Sequence, residues 1–147
     1  MKEVAKYSKC FVCGDNNDNG LKIRFLADVH GAIAHYTVED RFQGYMGILH
    51  GGITSTLLDE IMVKAVYAHG VVAVTAEMTV RFKKPIRTDD RLTLTARVIE
   101  KRERVFTAQG EIHRQDGELV ASSSAKYLVV SGPLKDELTR SLDVYLP

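Results

Sequence analysis

Two adjacent glycines and a carboxylate a short distance after them are the part of the sequence best suited to chemistry. Gly51 and Gly52 stand directly before an apolar, helix-like run that contains Asp59. Glycines at this place leave backbone N–H groups open at the positive end of a helix, where an oxygen that gains negative charge during a reaction can bind. The simpler alternative is that both glycines only allow a tight turn or close helix packing.

The two neighbouring carboxylates of the helix differ in their available partners. Glu60 has Lys64 four residues later, the favourable orientation for a surface ion pair, so we expect Glu60 to be solvated. Asp59 has no cation three or four residues away and lies at the edge of the apolar stripe, where it adds little to helix stability. Such a carboxylate can act as a base or a nucleophile. A solvent-facing aspartate without a role is the alternative.

Two further side chains are candidates for positioning a substrate. His50 precedes the glycines, and we expect it to orient the loop or a ligand carbonyl rather than to act as a second acid or base. Thr75 lies on the polar side of an alternating strand, near its start. Its hydroxyl can hold a water or a thioester, although threonine is also a good strand former without any such role.

A group of basic residues follows that strand. Arg81, Lys83, Lys84 and Arg87 lie close together in the sequence, and such clusters bind phosphate oxygens through charge-assisted hydrogen bonds. Protection of an exposed strand edge by lysine and arginine explains the same pattern equally well.

The two cysteines have the spacing of half a zinc knuckle. A structural zinc site needs four ligands, and the sequence has no second cysteine pair beside Cys10 and Cys13. His30, His35 or a partner subunit would have to complete it. The favoured interpretation is two free thiols in a loop, and we predict no metal.

Hydrophobic periodicity predicts two strands, one long helix and four more strands. The apolar stripe of the helix recurs every three to four residues from Ile53 to about His69, and Gly70 ends it. The predicted strands are 21–26, 32–38, 74–82, 92–99, 105–112 and 119–130, and a short terminal helix is expected over 133–142. One helix on an antiparallel sheet is an α+β arrangement. The uncovered sheet face and edges predict a homo-oligomer.

Composition limits the classes of function. The formal net charge of +1 gives no bulk attraction to nucleic acid. No apolar run approaches the ~18–20 residues that span a bilayer, and we recognise no secretory signal. Two cysteines do not indicate a disulfide scaffold, so we expect a cytoplasmic protein. From the net charge and the lack of a long apolar run, we expect neither nucleic-acid nor membrane partners. We expect one domain, 1–147, with a loop segment at 1–20 and a tail at 133–147.

The stretch from Gln43 to Glu60, with its glycine-containing loop, His-Gly-Gly and later aspartate, resembles the signature of hotdog-fold acyl-CoA thioesterases. More narrowly, it resembles the phenylacetyl-CoA thioesterase-like branch. The resemblance continues through Arg81-Phe-Lys-Lys-Pro85 and Asp116-Gly117, and covers roughly 20–130. It implies a curved antiparallel sheet wrapped around one long helix.

The resemblance also implies an activity, hydrolysis of an acyl-CoA thioester to free acid and coenzyme A. Asp59 would be general base or nucleophile, and the Gly51 N–H would polarise the thioester carbonyl. His50 and Gln43 would position the thioester or water, and Thr75 would assist the water. No cofactor is implied, because coenzyme A is part of the substrate.

Coenzyme A binding is implied for the helix start and the basic strand end. Gly52 would contact the substrate, and Arg81, Lys83, Lys84 and Arg87 would bind the nucleotide. In this family the site lies at a subunit interface, which implies a homodimer or homotetramer. One departure is Gly44, where some relatives carry asparagine, so that contact is absent or moved to Gln43.

Two other functions on the same fold are alternatives. A non-catalytic acyl-CoA binding or sensing domain would bind the same ligand without releasing products. A dehydratase or hydratase would pair an acid with a histidine, and the predicted helix has no histidine beside Asp59.

Overall fold

One long helix packs on a seven-stranded antiparallel sheet in a computed structural model of the chain, which describes residues 1–142. The strands are β1 (Lys2–Glu3), β2 (Phe25–Asp28), β3 (Gly31–Thr37), β4 (Ala73–Phe82), β5 (Arg91–Arg102), β6 (Val105–Arg114) and β7 (Leu119–Val129). The helices are α1 (Gly51–Tyr67) and α2 (Gly132–Ser141), and a 3-10 turn covers Asp40–Phe42. Each predicted element has a counterpart, including the terminal helix, but the first predicted strand, 21–26, is only partly right, because β2 begins at Phe25. In addition, β1 is a short strand inside the segment predicted as loop.

The strand order in the sheet is β1-β2-β3-β5-β6-β7-β4. Consecutive strands β5, β6 and β7 pair as hairpins, whereas α1 carries the chain from β3 across the sheet to β4 at the far edge. The helix packs against β2 to β7, so the sheet wraps around it. This is the predicted α+β architecture.

The buried side of α1 is the predicted apolar stripe. Leu57, Leu58, Ile61 and Met62 are fully buried. A Cβ atom at Gly110 of β6 would lie 2.9 Å from Met62 Cγ, so this glycine allows the helix to approach the sheet closely. The helix begins two residues earlier than the pattern predicted, because the two glycines form its first turn.

Strand β4 differs from its prediction. Its alternation predicts one face packed on the core, and Met78 and Val80 do pack against the core. Val74 and Phe82, predicted on the same face, are exposed. Within residues 1–142, β4 lies at the edge of the sheet and pairs on one side only, with β7. A long, partly apolar edge strand is a surface on which another strand can pair.

The prediction that Glu60 is solvated helix surface is wrong. Its Oε1 lies 3.3 Å from Lys64 Nζ as expected, but the two side chains are only 16% and 3% exposed. The N-terminal segment covers them, and Lys64 Nζ donates to the Ala5 carbonyl at 2.6 Å. Burial raises the pKa of Glu60, and the Lys64 ammonium opposes that shift.

Within the described residues, no helix is both long enough and apolar enough to cross a bilayer. The predicted C-terminal tail extends beyond α2, and its residues 143–147 lie outside the described part of the chain.

Candidate active site

Asp59 is held by two hydroxyl groups from the sheet. Its Oδ1 accepts a hydrogen bond from Thr75 Oγ1 at 2.8 Å and from Tyr127 Oη at 2.9 Å. Tyr127 Oη also lies 3.1 Å from the Asp59 backbone oxygen. Two donors on one oxygen orient the carboxylate, and Oδ2 makes no hydrogen bond or ion pair to any protein group in 1–142. That oxygen is therefore available to a water or a substrate.

The sheet brings these hydroxyls together by register and by a bulge. Thr75 of β4 is paired directly with Tyr127 of β7, and the register shifts between Thr75 and Glu77. The shift marks a β-bulge, in which one extra residue of β4 changes the alternation of the side chains that face the helix. As a result Thr75 reaches Asp59 before the bulge, whereas Met78 and Val80 pack on the core after it.

Tyr127 is a site residue that sequence reasoning missed. It is fully buried, and burial together with the negative charge of Asp59 raises its pKa well above the usual range. Tyr127 therefore stays protonated and acts as a donor. The available signal was a tyrosine in an inward-facing strand position, which needs a partner for its hydroxyl, but the local pattern does not say that the partner is Asp59.

The start of α1 has one free N–H group. His50 is the N-cap, and its Nδ1 accepts from the Gly52 N–H at 2.8 Å. The N–H groups of Ile53 and Thr54 donate to the His50 carbonyl. The Gly51 N–H has no acceptor among residues 1–142. The predicted loop-orienting role of His50 and the predicted donor Gly51 thus fit the geometry, whereas the Gly52 N–H is occupied.

Gln43 acts inside its own loop. Its Nε2 donates to the Asp40 carbonyl at 2.8 Å, and its Oε1 accepts from the Gly47 N–H. A Cβ atom on Gly44 would lie 3.3 Å from His50 Cα, so the glycine lets this loop pack on the N-cap. The structure therefore gives Gln43 and Gly44 the task of shaping the loop in front of α1.

A groove of about 690 Å³ opens at this end of the helix. Its lining is mostly apolar, with two lysines among the strand residues. The lining residues are Gly44, Tyr45, Ile48, Leu49, His50, Gly51, Thr54, Phe82, Lys83, Lys84, Pro85, Ile86, Val120 and Ala121. An apolar groove with a free N–H donor and nearby cations suits a ligand that has an apolar part, a carbonyl and an anionic part.

The four predicted basic residues do not lie together. Lys83 and Lys84 line the groove, and Lys84 also lies 3.8 Å from Glu118 in an exposed ion pair. Arg81 instead lines a separate depression with Gln109 and Ser122 on the other face of the sheet. The side chain of Arg87 is exposed, and its backbone forms an isolated β-bridge with Ile48 in the loop before α1.

Asp59 does not line the groove. It lies eight residues after Gly51 on the same helix, and a helix rises ~1.5 Å per residue, so the two are separated by ~12 Å along its axis. One carbonyl cannot contact the Gly51 N–H and the Asp59 carboxylate of the same chain.

Comparison with known proteins agrees with this architecture. Residues 46–121 match the family model described as the thioesterase superfamily. The human protein acyl-coenzyme A thioesterase 13 is 28% identical over 104 residues, which cover 68% of this chain and 74% of the relative. The mouse protein of the same name is 26% identical over 92 residues, 60% of this chain and 66% of the relative.

Solved structures give the same result for the fold. The E. coli PaaI protein from the phenylacetic acid degradation operon is 27% identical, with a TM-score of 0.72 over 76% of this chain and 82% of its own. A hypothetical thioesterase from Streptococcus pneumoniae, solved with coenzyme A, is 23% identical, with a TM-score of 0.70 over 72% and 83%.

The chain therefore belongs to the thioesterase superfamily, and its fold is the hotdog fold. The predicted resemblance to hotdog-fold acyl-CoA thioesterases is confirmed. The roles of the individual residues stay predictions.

Proposed function

We propose that the chain hydrolyses an acyl-CoA thioester to a free acid and coenzyme A. The observation that carries this proposal is the free Gly51 N–H at the helix start, which opens into an apolar groove with Lys83 and Lys84 at its side. The names of the relatives, acyl-coenzyme A thioesterases, support the same substrate class. Thioester hydrolysis needs little beyond a positioned base and a donor for the developing oxyanion.

The groups in this scheme have separate tasks. The Gly51 N–H donates to the thioester carbonyl oxygen, whose negative charge grows as the carbonyl is attacked. The free Oδ2 of Asp59 takes a proton from water, the water oxygen bonds to the carbonyl carbon, and the C–S bond breaks. The departing thiolate receives the proton. If Asp59 attacks the carbonyl carbon directly instead, the C–S bond breaks, the coenzyme A thiolate leaves and a mixed anhydride forms. Water then hydrolyses the anhydride to the free acid and the Asp59 carboxylate, and the proton released goes to the thiolate. Neither route needs a cofactor.

A second copy of the chain completes the site in this proposal. The ~12 Å separation of Gly51 from Asp59 within one chain supports a site in which each copy supplies one of the two groups. Among residues 1–142, no strand pairs with the outer edge of β4, which carries exposed Val74 and Phe82. Thr75, which binds Asp59, belongs to the same strand. A homodimer is the smallest assembly that satisfies this, and a homotetramer contains the same contact.

The remaining parts of the proposal concern the chain as a whole. We propose one hotdog domain over 1–147, with the segments 1–20 and 133–147 attached to it, and a cytoplasmic location without nucleic-acid or membrane partners. The free thiols of Cys10 and Cys13 suit a reducing compartment.

Turnover of an acyl-CoA panel tests the activity. Purified protein is assayed with aryl, short, medium and long acyl-CoAs, and release of the coenzyme A thiol is followed with a thiol reagent. We expect turnover of at least one class, and the apolar groove predicts that short polar acyl groups are the poorest. Tight binding without thiol release would contradict hydrolysis and assign the chain to the non-catalytic binding alternative.

Mixed dimers test the shared site. A chain with Asp59→Asn and a chain with Gly51→Pro, each inactive alone, are co-expressed with different tags. Random pairing makes half of the dimers mixed. In each mixed dimer, one of the two sites has both native groups. About a quarter of wild-type activity is therefore expected. If Gly51 and Asp59 of one chain formed the site, every site would carry one change and no activity would return.

The two groove lysines are predicted to act on the nucleotide. Lys83→Ala with Lys84→Ala should raise KM for acyl-CoA about tenfold, equivalent to ~1.4 kcal/mol, with kcat little changed. A short thioester that lacks the nucleotide should be hydrolysed equally well by variant and wild type. Arg81→Ala, on the other sheet face, is the matched control and should keep the wild-type KM. An equal loss with both substrates would contradict a nucleotide contact.

A further inference from the structure

A cluster of metal-ligand side chains lies behind the helix, away from the groove. Cys10 Sγ, Cys13 Sγ and a carboxylate oxygen of Glu60 all lie within 4.8 Å of one another. Cys13 is buried, and Cys10 and Glu60 are half-buried. The third group is thus a helix carboxylate, which sequence reasoning had placed on the surface, and neither His30 nor His35 belongs to the cluster.

The cysteine loop has the backbone form of a metal knuckle. The Val12 N–H points at Cys10 Sγ, with a distance of 3.4 Å, and the Gly14 N–H donates to the Cys10 carbonyl at 3.0 Å. A Cβ atom on Gly14 would lie 2.4 Å from the Ser8 carbonyl oxygen, so only glycine allows the loop to close in this way. An N–H that points at a sulfur favours the thiolate, which is the form that binds metal.

We propose that Cys10, Cys13 and Glu60 bind one zinc ion, with a water as the fourth ligand. The cluster has three ligand side chains among residues 1–142, and a water takes the fourth position in zinc sites with three protein ligands. Zinc takes thiolates at ~2.3 Å and carboxylate oxygens at ~2.0–2.2 Å in a tetrahedral arrangement, which places ligand atoms ~3.5–3.8 Å from one another. The limit of 4.8 Å on this cluster means that small side-chain movements close it around an ion. The donor set of two sulfurs and one oxygen suits zinc better than magnesium or calcium.

Lys64 supplies the charge balance for this site. Two thiolates and one carboxylate exceed the charge of Zn²⁺ by one negative charge, and the buried Lys64 ammonium neutralises it. Lys64 Nζ lies 3.3 Å from Glu60 Oε1, 3.5 Å from Cys13 Sγ and 2.6 Å from the Ala5 carbonyl oxygen. It therefore contacts two ligands and holds them in place from outside the coordination shell. Without a metal, the same lysine contacts the Cys13 sulfur and the Glu60 carboxylate.

The ion would fasten the N-terminal loop to α1. Glu60 is adjacent to Asp59 in the sequence, but its side chain faces the cysteines rather than Thr75 and Tyr127. The expected contribution is to stability of the loop–helix contact, because a metal that binds only the folded state stabilises that state.

Metal content of tag-free protein tests the site. Protein is incubated with zinc, dialysed, and analysed by elemental mass spectrometry. We expect zinc in a one-to-one ratio to the chain, and a clear fall in Tm when a chelator removes it. Substitution with Co²⁺ should give thiolate-to-cobalt charge-transfer absorption and the intense visible bands of tetrahedral coordination. Protein that binds neither ion, while folded by circular dichroism, would overturn the proposal.

Variants assign the ligands. Cys10→Ser, Cys13→Ser and Glu60→Gln should each lose zinc, whereas His35→Ala, the control for a histidine ligand, should keep it. Glu60→Gln retains both cysteines and the shape of the side chain, so it keeps the test valid if a cysteine variant fails to fold. Unchanged zinc binding by Glu60→Gln would overturn the site as proposed. An intact mass that shows a Cys10–Cys13 disulfide in freshly purified protein would instead assign the pair to thiol chemistry.

Discussion

Replacing Asp59 by asparagine is expected to lower kcat for acyl-CoA hydrolysis by about 10²–10⁴-fold, the range for a lost general base. Asparagine has the same shape, and its side-chain oxygen still accepts from Thr75 Oγ1 and Tyr127 Oη. The fold and the orientation of the group should therefore be kept while the basic oxygen is lost. KM should change little, because the groove does not include this residue. Steady-state kinetics on the best substrate of the acyl-CoA panel measure both constants.

Glu111→Gln is the matched control, since it neutralises an exposed carboxylate on the sheet and should leave kcat unchanged. Unchanged turnover in a folded Asp59→Asn protein would remove Asp59 from the mechanism. A single turnover in heavy-oxygen water then tests the nucleophilic role in the wild type. Label in the Asp59 carboxylate indicates a nucleophile whose anhydride is opened at the aspartyl carbon. Label in the product acid alone is expected both for a general base and for an anhydride that water opens at the acyl carbon.

The local pattern of the sequence was sufficient to place α1 and to single out Asp59 as a candidate. The apolar stripe predicted the buried face of the helix, and the absence of a nearby cation separated Asp59 from Glu60. These are properties of residues three or four positions apart, which a helix places side by side. The free Gly51 N–H is also predictable from local sequence, because the first N–H groups of a helix have no acceptor within the helix.

Contacts between distant parts of the chain were not predictable in this way. The placement of β4 at the sheet edge depends on the path of α1 across the sheet, and within residues 1–142 that path leaves the outer edge of β4 without a paired strand. The same strand order places Tyr127 beside Asp59. Burial of Glu60 and Lys64 depends on the N-terminal segment, whose loop residues carry no periodicity. The surface ion pair predicted by spacing alone was therefore formed, but inside the protein.

Replacing Gly51 by proline is the second change with a large expected effect. Proline removes the one N–H of the first helical turn that lacks an acceptor in the described chain. The loss of an oxyanion donor lowers kcat about 10²–10³-fold. Binding of free coenzyme A should be nearly unchanged, because it has no thioester carbonyl for this donor to polarise. The measurements are kcat on the acyl-CoA panel and the Kd of coenzyme A by calorimetry.

The helix start can accept this proline. Gly51 is the first residue of α1, where the fixed φ of proline suits the helix and no intrahelical hydrogen bond is lost. His50 has φ −59° and ψ 133°, the extended conformation that a residue before proline prefers. A Cβ atom at position 51 would lie 3.5 Å from Phe82 Cε1, an ordinary contact.

Gly51→Ala is the control that separates the N–H from the added bulk. Alanine adds the Cβ atom but keeps the donor, so we expect most of the wild-type kcat. A large loss in both variants would indicate that the groove needs the space beside Phe82 rather than the donor, and activity in both would exclude Gly51 as the oxyanion donor. Only loss with proline and retention with alanine assign the reaction to the free N–H. Because that donor lies ~12 Å along the helix from Asp59 of its own chain, the same result would require the base to come from the partner.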